Sequence, residues 1–207
     1  KGKTDQQYPL FVLYNKSNIP GRPENLHKYK KVLKSLLAGC KFLEKNKCKF
    51  IVIPCNTAHY WFDDLQKKTK IPIISMPKEV YIHSVKTCKK NSKIGLLATE
   101  GTLKTGIYNK FFDKKFKLIN PSKSVQKNNV NKAIKLVKMG KIKEAEKAIR
   151  PAVNLLVKMK CNKIILGCTE LPIAIFAFKS FQKIKKSKTF LDPNLILANS
   201  SMKRYKR

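Results

Sequence analysis

With 207 residues, 43% of them hydrophobic, the chain can build a sizeable core in one domain or two small lobes. No apolar run approaches the ~18 residues of a membrane span, and the polar start at residues 1–9 lacks a signal core of ~7–15 apolar residues, which places the chain in the cytosol. Forty-six Lys and Arg against 12 Asp and Glu leave a formal charge of +34, which raises nucleic acid or an anionic surface as a partner to be weighed.

In chain order, apolar runs bounded by polar or turn residues predict strands at 10–14 (LFVLY), 50–54 (FIVIP), 72–75 (PIIS), 93–98 (KIGLLA), 116–119 (FKLI) and 163–167 (KIILG). Helical patterns fall between most of them, at 26–46, 57–69, 78–90, 103–113, 124–139, 142–160 and 193–203. Asp192 and Pro193 open the last helix as an N-cap and first-position pair. Strands alternating with helices predict an α/β fold of parallel sheets flanked by helices, with ligands bound beyond the carboxyl ends of the strands.

An internal repeat sharpens this architecture. KCKFIVIPCNT (47–57) aligns with KCNKIILGCTE (160–170), so that Cys48 and Cys55 recur 113 residues later as Cys161 and Cys168. Each copy reads as helix, buried strand, cysteine at the strand end and a new helix. The expectation is therefore two similar lobes with the active site in the cleft between them. Residues 1–91 plus about 188–207 make the first lobe, carrying Cys55, and 92–187 the second, carrying Cys168.

The six cysteines lack the density of a disulfide scaffold and have no C-x-x-C pair, so all are expected to be free thiols. Cys40, Cys48, Cys88 and Cys161 read as small buried hydrophobes. Cys55 and Cys168 differ through their matched setting, where a strand hands over to a helix and exposed amides lower a thiol's pKa. Facing each other across a cleft, one thiolate could take a proton from a carbon while the opposite thiol delivers one. Asn56, Thr57 and Thr169 could hold a carboxylate beside them, and Thr99 and Thr102 of ATEGT (98–102) could add donors at another strand end. The substrate implied is small and acidic. His59 follows Cys55 by four residues, but His27 and His83 have no ligand spacing with it, so no metal is expected.

With IPCNTAH and LGCTELP both in view, the chain resembles the aspartate/glutamate racemase family, and most closely its aspartate racemase branch. The likeness runs through NIPGR, IPCNTAHYWFDDLQ, IPIISM, KIGLLATEGTLKTGIY, IILGCTELP and LDPNLILA, nearly the whole chain. It implies a two-lobed, cofactor-independent amino-acid racemase, commonly dimeric, with Cys55 and Cys168 as the catalytic acid and base. It also implies that Asn56, Thr57, Thr99, Thr102 and Thr169 bind the amino-acid head group. Arg22 of NIPGR and Lys138 would hold the distal carboxylate, for which a charge-assisted partner in a closed cleft makes physical sense.

The chain departs from the family pattern in places. It begins at what resembles the family's second strand, Gly21 and Pro23 replace the residues that usually flank the arginine, and SMPKEV (75–80) lacks a glutamate common after that strand. These departures motivate an alternative, a catalytically weak anion-binding homologue. A nucleic-acid binder ranks last. Only Arg22, Arg150, Arg204 and Arg207 supply the planar fork suited to bases and phosphates, and the lysines are scattered, with denser runs only at 183–188 and 202–207.

Overall fold

The computed structural model describes residues 3–178, 181, 182, 184 and 189–205. The run at 183–188 therefore lies, apart from Ile184, outside the described residues, as do Lys206 and Arg207 of the terminal run.

Helix α1 (Tyr29–Lys45) turns Val32, Leu36 and Cys40 inward, one turn apart, and leaves its lysines to solvent. It ends with Lys47 in the left-handed region (φ 58°), where the Cys48 amide donates back to the Leu43 carbonyl at 3.2 Å. That closing bond satisfies a carbonyl orphaned at the helix end. Strand β1 (Ile51–Val52) pairs in parallel with β2 (Ile73–Ile74), joined by a 3-10 turn (Thr57–Trp61) and helix α2 (Phe62–Lys68). Val32, Leu36, Ile51, Trp61 and Leu65 form the core of this first lobe.

Helix α3 (Met76–Thr87) leads to the second sheet, whose strands are β3 (Lys93–Ala98), β4 (Lys117–Ile119), β5 (Lys163–Gly167) and β6 (Phe190–Leu191). Their order is β4-β3-β5-β6, all parallel. Parallel strands buried on both faces read as continuous apolar runs, as KIGLLA and KIILG do. Helices α4 (Glu100–Lys104) and α5 (Asn109–Phe112) follow β3. After β4 come a short turn α6 (Lys123–Val125), a π-helical turn (Gln126–Asn131), α7 (Lys132–Lys138) and α8 (Ile142–Lys158). Helix α9 (Leu171–Phe176) follows β5, and α10 (Pro193–Tyr205) ends the described chain. One sheet face packs on Val130, Ile134, Ile149, Val153 and Leu156. The other packs on Val80, Tyr108, Phe112 and Ile196. Asp192 caps α10 as expected, its Oδ1 accepting from the Asn194 amide at 2.9 Å.

The repeat reaches beyond the cysteines. Helix α8 begins and ends 113 residues after α1. Lys160 repeats the left-handed turn of Lys47 (φ 59°), and the Cys161 amide repeats the closing bond to Leu156 at 3.1 Å.

Three expectations require correction. Residues 10–14 form no strand: Leu10, Phe11 and Leu13 are 92%, 80% and 81% exposed, and among the described residues none pairs with this run. An apolar extended run becomes a strand only beside a partner for its amides and carbonyls. Here Tyr14 instead stacks on Phe42 of α1, ring centroids 4.2 Å apart. The helix expected over 103–113 is broken at Gly106 (φ +60°), where the Thr105 hydroxyl donates to the carbonyls of Gly101 and Thr102. The helix expected over 124–139 carries the π turn, with Gln126 Nε2 donating to the Ala98 carbonyl at 2.8 Å. Among the described residues no helix is long and apolar enough to cross a membrane.

Candidate active site

Both cysteines of the repeat stand where a strand has ended and the chain turns into a helix, at the carboxyl ends of their sheets. Cys55 is half-buried beyond β1, and its carbonyl accepts from His59 Nδ1 at 2.9 Å. His59 Nε2 in turn accepts from the Met76 amide at 3.0 Å, so both ring nitrogens are occupied by main chain. Burial pushes the His59 pKa down and keeps the ring neutral. His59 thereby pins the Cys55 turn against the start of α3.

Cys168, beyond β5, is buried, and its thiol donates to Glu170 Oε2 at 2.9 Å. Thr169 Oγ1 donates to the same oxygen at 3.0 Å, while Lys138 Nζ lies 3.8 Å from Oε1. The expectation that a helix start would lower the thiol pKa fails here. Burial pushes the Cys168 pKa well up, the Glu170 charge and the hydrogen bond to it add to the push, and the Cys55 sulfur contributes the smallest of these effects. The α9 helix has only six residues, and its opening dipole is outweighed by a buried sulfur beside a carboxylate. Cys168 is thus held as a thiol.

The expected head-group residues converge from both lobes. The Thr57 hydroxyl lies 2.8 Å from that of Thr102 and 3.1 Å from that of Thr99, and the Thr99 and Thr102 hydroxyls are 3.1 Å apart. Thr57 and Thr102 are buried inside this ring, whereas Thr99 is half-buried and also caps α4 by accepting from the Thr102 amide. Asn56 is buried too; its Oδ1 accepts from the Tyr108 hydroxyl at 2.6 Å, and its Nδ2 has no partner.

A cleft of about 690 Å³ opens beside this group, lined by Pro23, Glu24, Thr99, Gly101, Asn131 and Lys138 among others. Neither thiol lines it. A β-carbon at Gly101 would come within 2.7 Å of the Pro23 Cα, so only glycine lets the loop bearing Arg22 cross the start of α4. Arg22 itself is half-buried, and among the described residues its guanidinium has neither a hydrogen bond nor an ion pair. Among the described residues no group of three or more His, Cys, Asp or Glu could hold a metal ion.

Two participants escaped the sequence reading. Glu170 was visible as the acid two residues after Cys168, in CTELP, but nothing in the spacing shows its carboxylate turning back onto the thiol. Tyr108 gave no signal, since a continuous helix over 103–113 offers no reason for it to meet Asn56.

The chain was compared with known proteins. The family model described as Asp/Glu/Hydantoin racemase matches residues 1–200. A broad specificity amino-acid racemase of Bacillus subtilis (strain 168) is 23% identical over 205 residues, covering 97% of this chain and 84% of that protein. A glutamate racemase of Limosilactobacillus reuteri (strain DSM 20016) is 32% identical over 135 residues, 64% of this chain, which spans about half (48%) of that relative. Among solved structures, the aspartate racemase of Picrophilus torridus superposes with a TM-score of 0.83 at 27% identity, over all of this chain and 84% of that one. An aspartate racemase homologue from Pyrococcus horikoshii OT3 has the same fold, with a TM-score of 0.76 at 21% identity, covering 99% of this chain and 88% of that one.

Proposed function

Since the chain belongs to the Asp/Glu/Hydantoin racemase family, we propose that it interconverts the L and D forms of aspartate, or of glutamate, with two thiols and no cofactor. The observation that carries this reading is the pairing of Cys55 and Cys168, delivered by equivalent turns to positions where the charge of one bears on the proton of the other.

In the proposed cycle the Cys55 thiolate removes the α-proton on one face. The electron pair of the broken C–H bond is delocalised into the substrate carboxylate, and the Cys168 S–H bond breaks to give its proton to the opposite face. The α-carbon is inverted, Cys55 leaves as a thiol and Cys168 as a thiolate, and the reverse reaction starts from that state. Glu170, which holds the Cys168 proton at rest, returns a proton from solvent to the sulfur between turnovers. Asn56, Thr57, Thr99, Thr102 and Thr169 form the head-group side of the site. Thr99 is the most accessible of the hydroxyl ring, so it is the one offered to the ligand. Arg22 and Lys138 take the distal carboxylate. An unpaired guanidinium and a lysine held only at 3.8 Å by Glu170 are both free to turn to a better partner.

The test is proton NMR of L-aspartate, then L-glutamate, in D2O under reducing conditions. The α-proton signal should disappear as the D isomer accumulates, and neither Cys55→Ala nor Cys168→Ala should support inversion. A folded protein that exchanges neither substrate overturns the racemase reading and leaves an anion-binding homologue in its place.

A further inference from the structure

The break in the chain at Gly106 carries an inference that rests on the head-group assignment above. Residues 103–105 leave α4 through the left-handed Gly106, and the new start aims Tyr108 into the interior, fully buried with its ring edge against Phe112. A continuous helix would have carried that ring elsewhere. The buried phenol has to satisfy its hydroxyl. It does so across the lobes, donating to Asn56 Oδ1 at 2.6 Å.

We infer that Tyr108 is a positioning residue for head-group binding: by donating to Asn56 Oδ1 it fixes the amide so that Nδ2 is the group offered to the substrate α-carboxylate. An amide has one acceptor end and one donor end. Once the acceptor end is taken, the donor end is committed, and Asn56 Nδ2 is indeed buried without an acceptor. An unpaired buried donor is costly, and an incoming carboxylate removes that cost, so the unpaired amide favours the bound state. Burial raises the Tyr108 pKa far above its ordinary value, with the nearby Asp192 and Cys168 adding to the push, so the phenol remains a donor at any working pH. The same influence places the hydroxyl between Asn56 and Cys168, on the inner side of the site.

Tyr108→Phe preserves the ring packing and removes the hydroxyl. The KM for L-aspartate, or for L-glutamate if that is the exchanged substrate, should rise roughly tenfold with kcat changed less than about threefold. In an Asn56→Ala background the same substitution should leave KM unchanged, because the group it positions is gone. Asn56→Asp, which can still accept from Tyr108 but offers no donor, should lose binding in a folded protein. Equal kcat loss in both backgrounds, or an unchanged KM in Tyr108→Phe beside an active wild type, would overturn the role and leave the racemase reading intact. If the wild type exchanges neither amino acid, calorimetric titration with L-aspartate and L-glutamate decides. Wild-type binding that weakens roughly tenfold in Tyr108→Phe sustains the positioning role without racemisation, and no wild-type binding overturns both.

Discussion

Helices α1 and α8 end alike, 113 residues apart, yet they deliver their strands into unlike surroundings. In the second lobe β5 lies between β3 and β6 in a four-stranded sheet covered on both faces, and Ile165 is fully buried. In the first lobe β1 pairs only with β2 among the described residues, and Val52, the counterpart of Ile165, is 39% exposed. The thiols inherit the difference. Cys168 is buried beside a carboxylate that holds its proton, whereas Cys55 is half-buried, in a turn pinned by a neutral histidine. A local frame can be copied along a chain, but the state of the group it presents is set by what packs around it. Two-thiol inversion needs one partner with a proton and one without, and an asymmetric pair of lobes is suited to supply that.

The largest effect should appear when equivalent strand positions are truncated. Ile165→Ala opens a cavity between two packed faces and should cost roughly 2–5 kcal/mol in urea unfolding. Val52→Ala removes methyl groups already partly wetted and should cost less than about 1 kcal/mol. Similar costs would mean that β1 is covered in solution by something that buries Val52 as fully as the second sheet buries Ile165.

That comparison also shows how far the residues themselves could be read. The alternation of strand and helix, the repeat and the placing of both thiols followed from apolar runs and one recurring pentad of landmarks, because these are local patterns. What failed was non-local. The run 10–14 has the composition of a strand, but a strand exists only with a neighbour, and composition says nothing of neighbours. The helix 103–113 has the right apolar spacing, but one glycine and one back-bonding threonine end it. Ring formation by Thr57, Thr99 and Thr102 across the lobes lies equally beyond any spacing argument, although each threonine was singled out as a site residue.

The next effect concerns the carboxylate that distinguishes the two thiols. Glu170→Gln removes the charge beside Cys168 while leaving a group that can still hydrogen-bond. The Cys168 pKa should fall but stay above its ordinary value, since burial is the larger cause and is unchanged. A drop of about one unit gives roughly tenfold more thiolate. Iodoacetamide labelling at pH 8, read by peptide mass spectrometry, should therefore speed up at Cys168 by about that factor, with Cys55 labelling changed less than twofold. Equal acceleration at both thiols would show that the variant loosens the cleft as a whole, and no change at Cys168 would remove Glu170 from its proton.

The smallest effect is on stability at alkaline pH, and its sign follows from the direction of the Cys168 shift. A group whose pKa is raised on folding binds its proton more tightly in the native state. It therefore contributes stability that is complete below the unfolded value, 9.0 for this thiol, and is lost as pH rises above it. Above pH 9 the unfolded chain gives up the proton and the native chain keeps it, so each further pH unit costs about 1.4 kcal/mol at most from this site. Between pH 9 and 10 the midpoint of thermal unfolding should fall by roughly 2–4 °C on this account. Tyr108 is raised by the same kind of burial and enters only above its own ordinary value of 10.0. Cys168→Ser keeps a hydroxyl donor for Glu170 but does not titrate, so the decline between pH 9 and 10 should flatten in that variant and resume above 10. A decline as steep in Cys168→Ser as in the wild type would mean that the buried thiol of the second lobe does not hold its proton more tightly in the folded state.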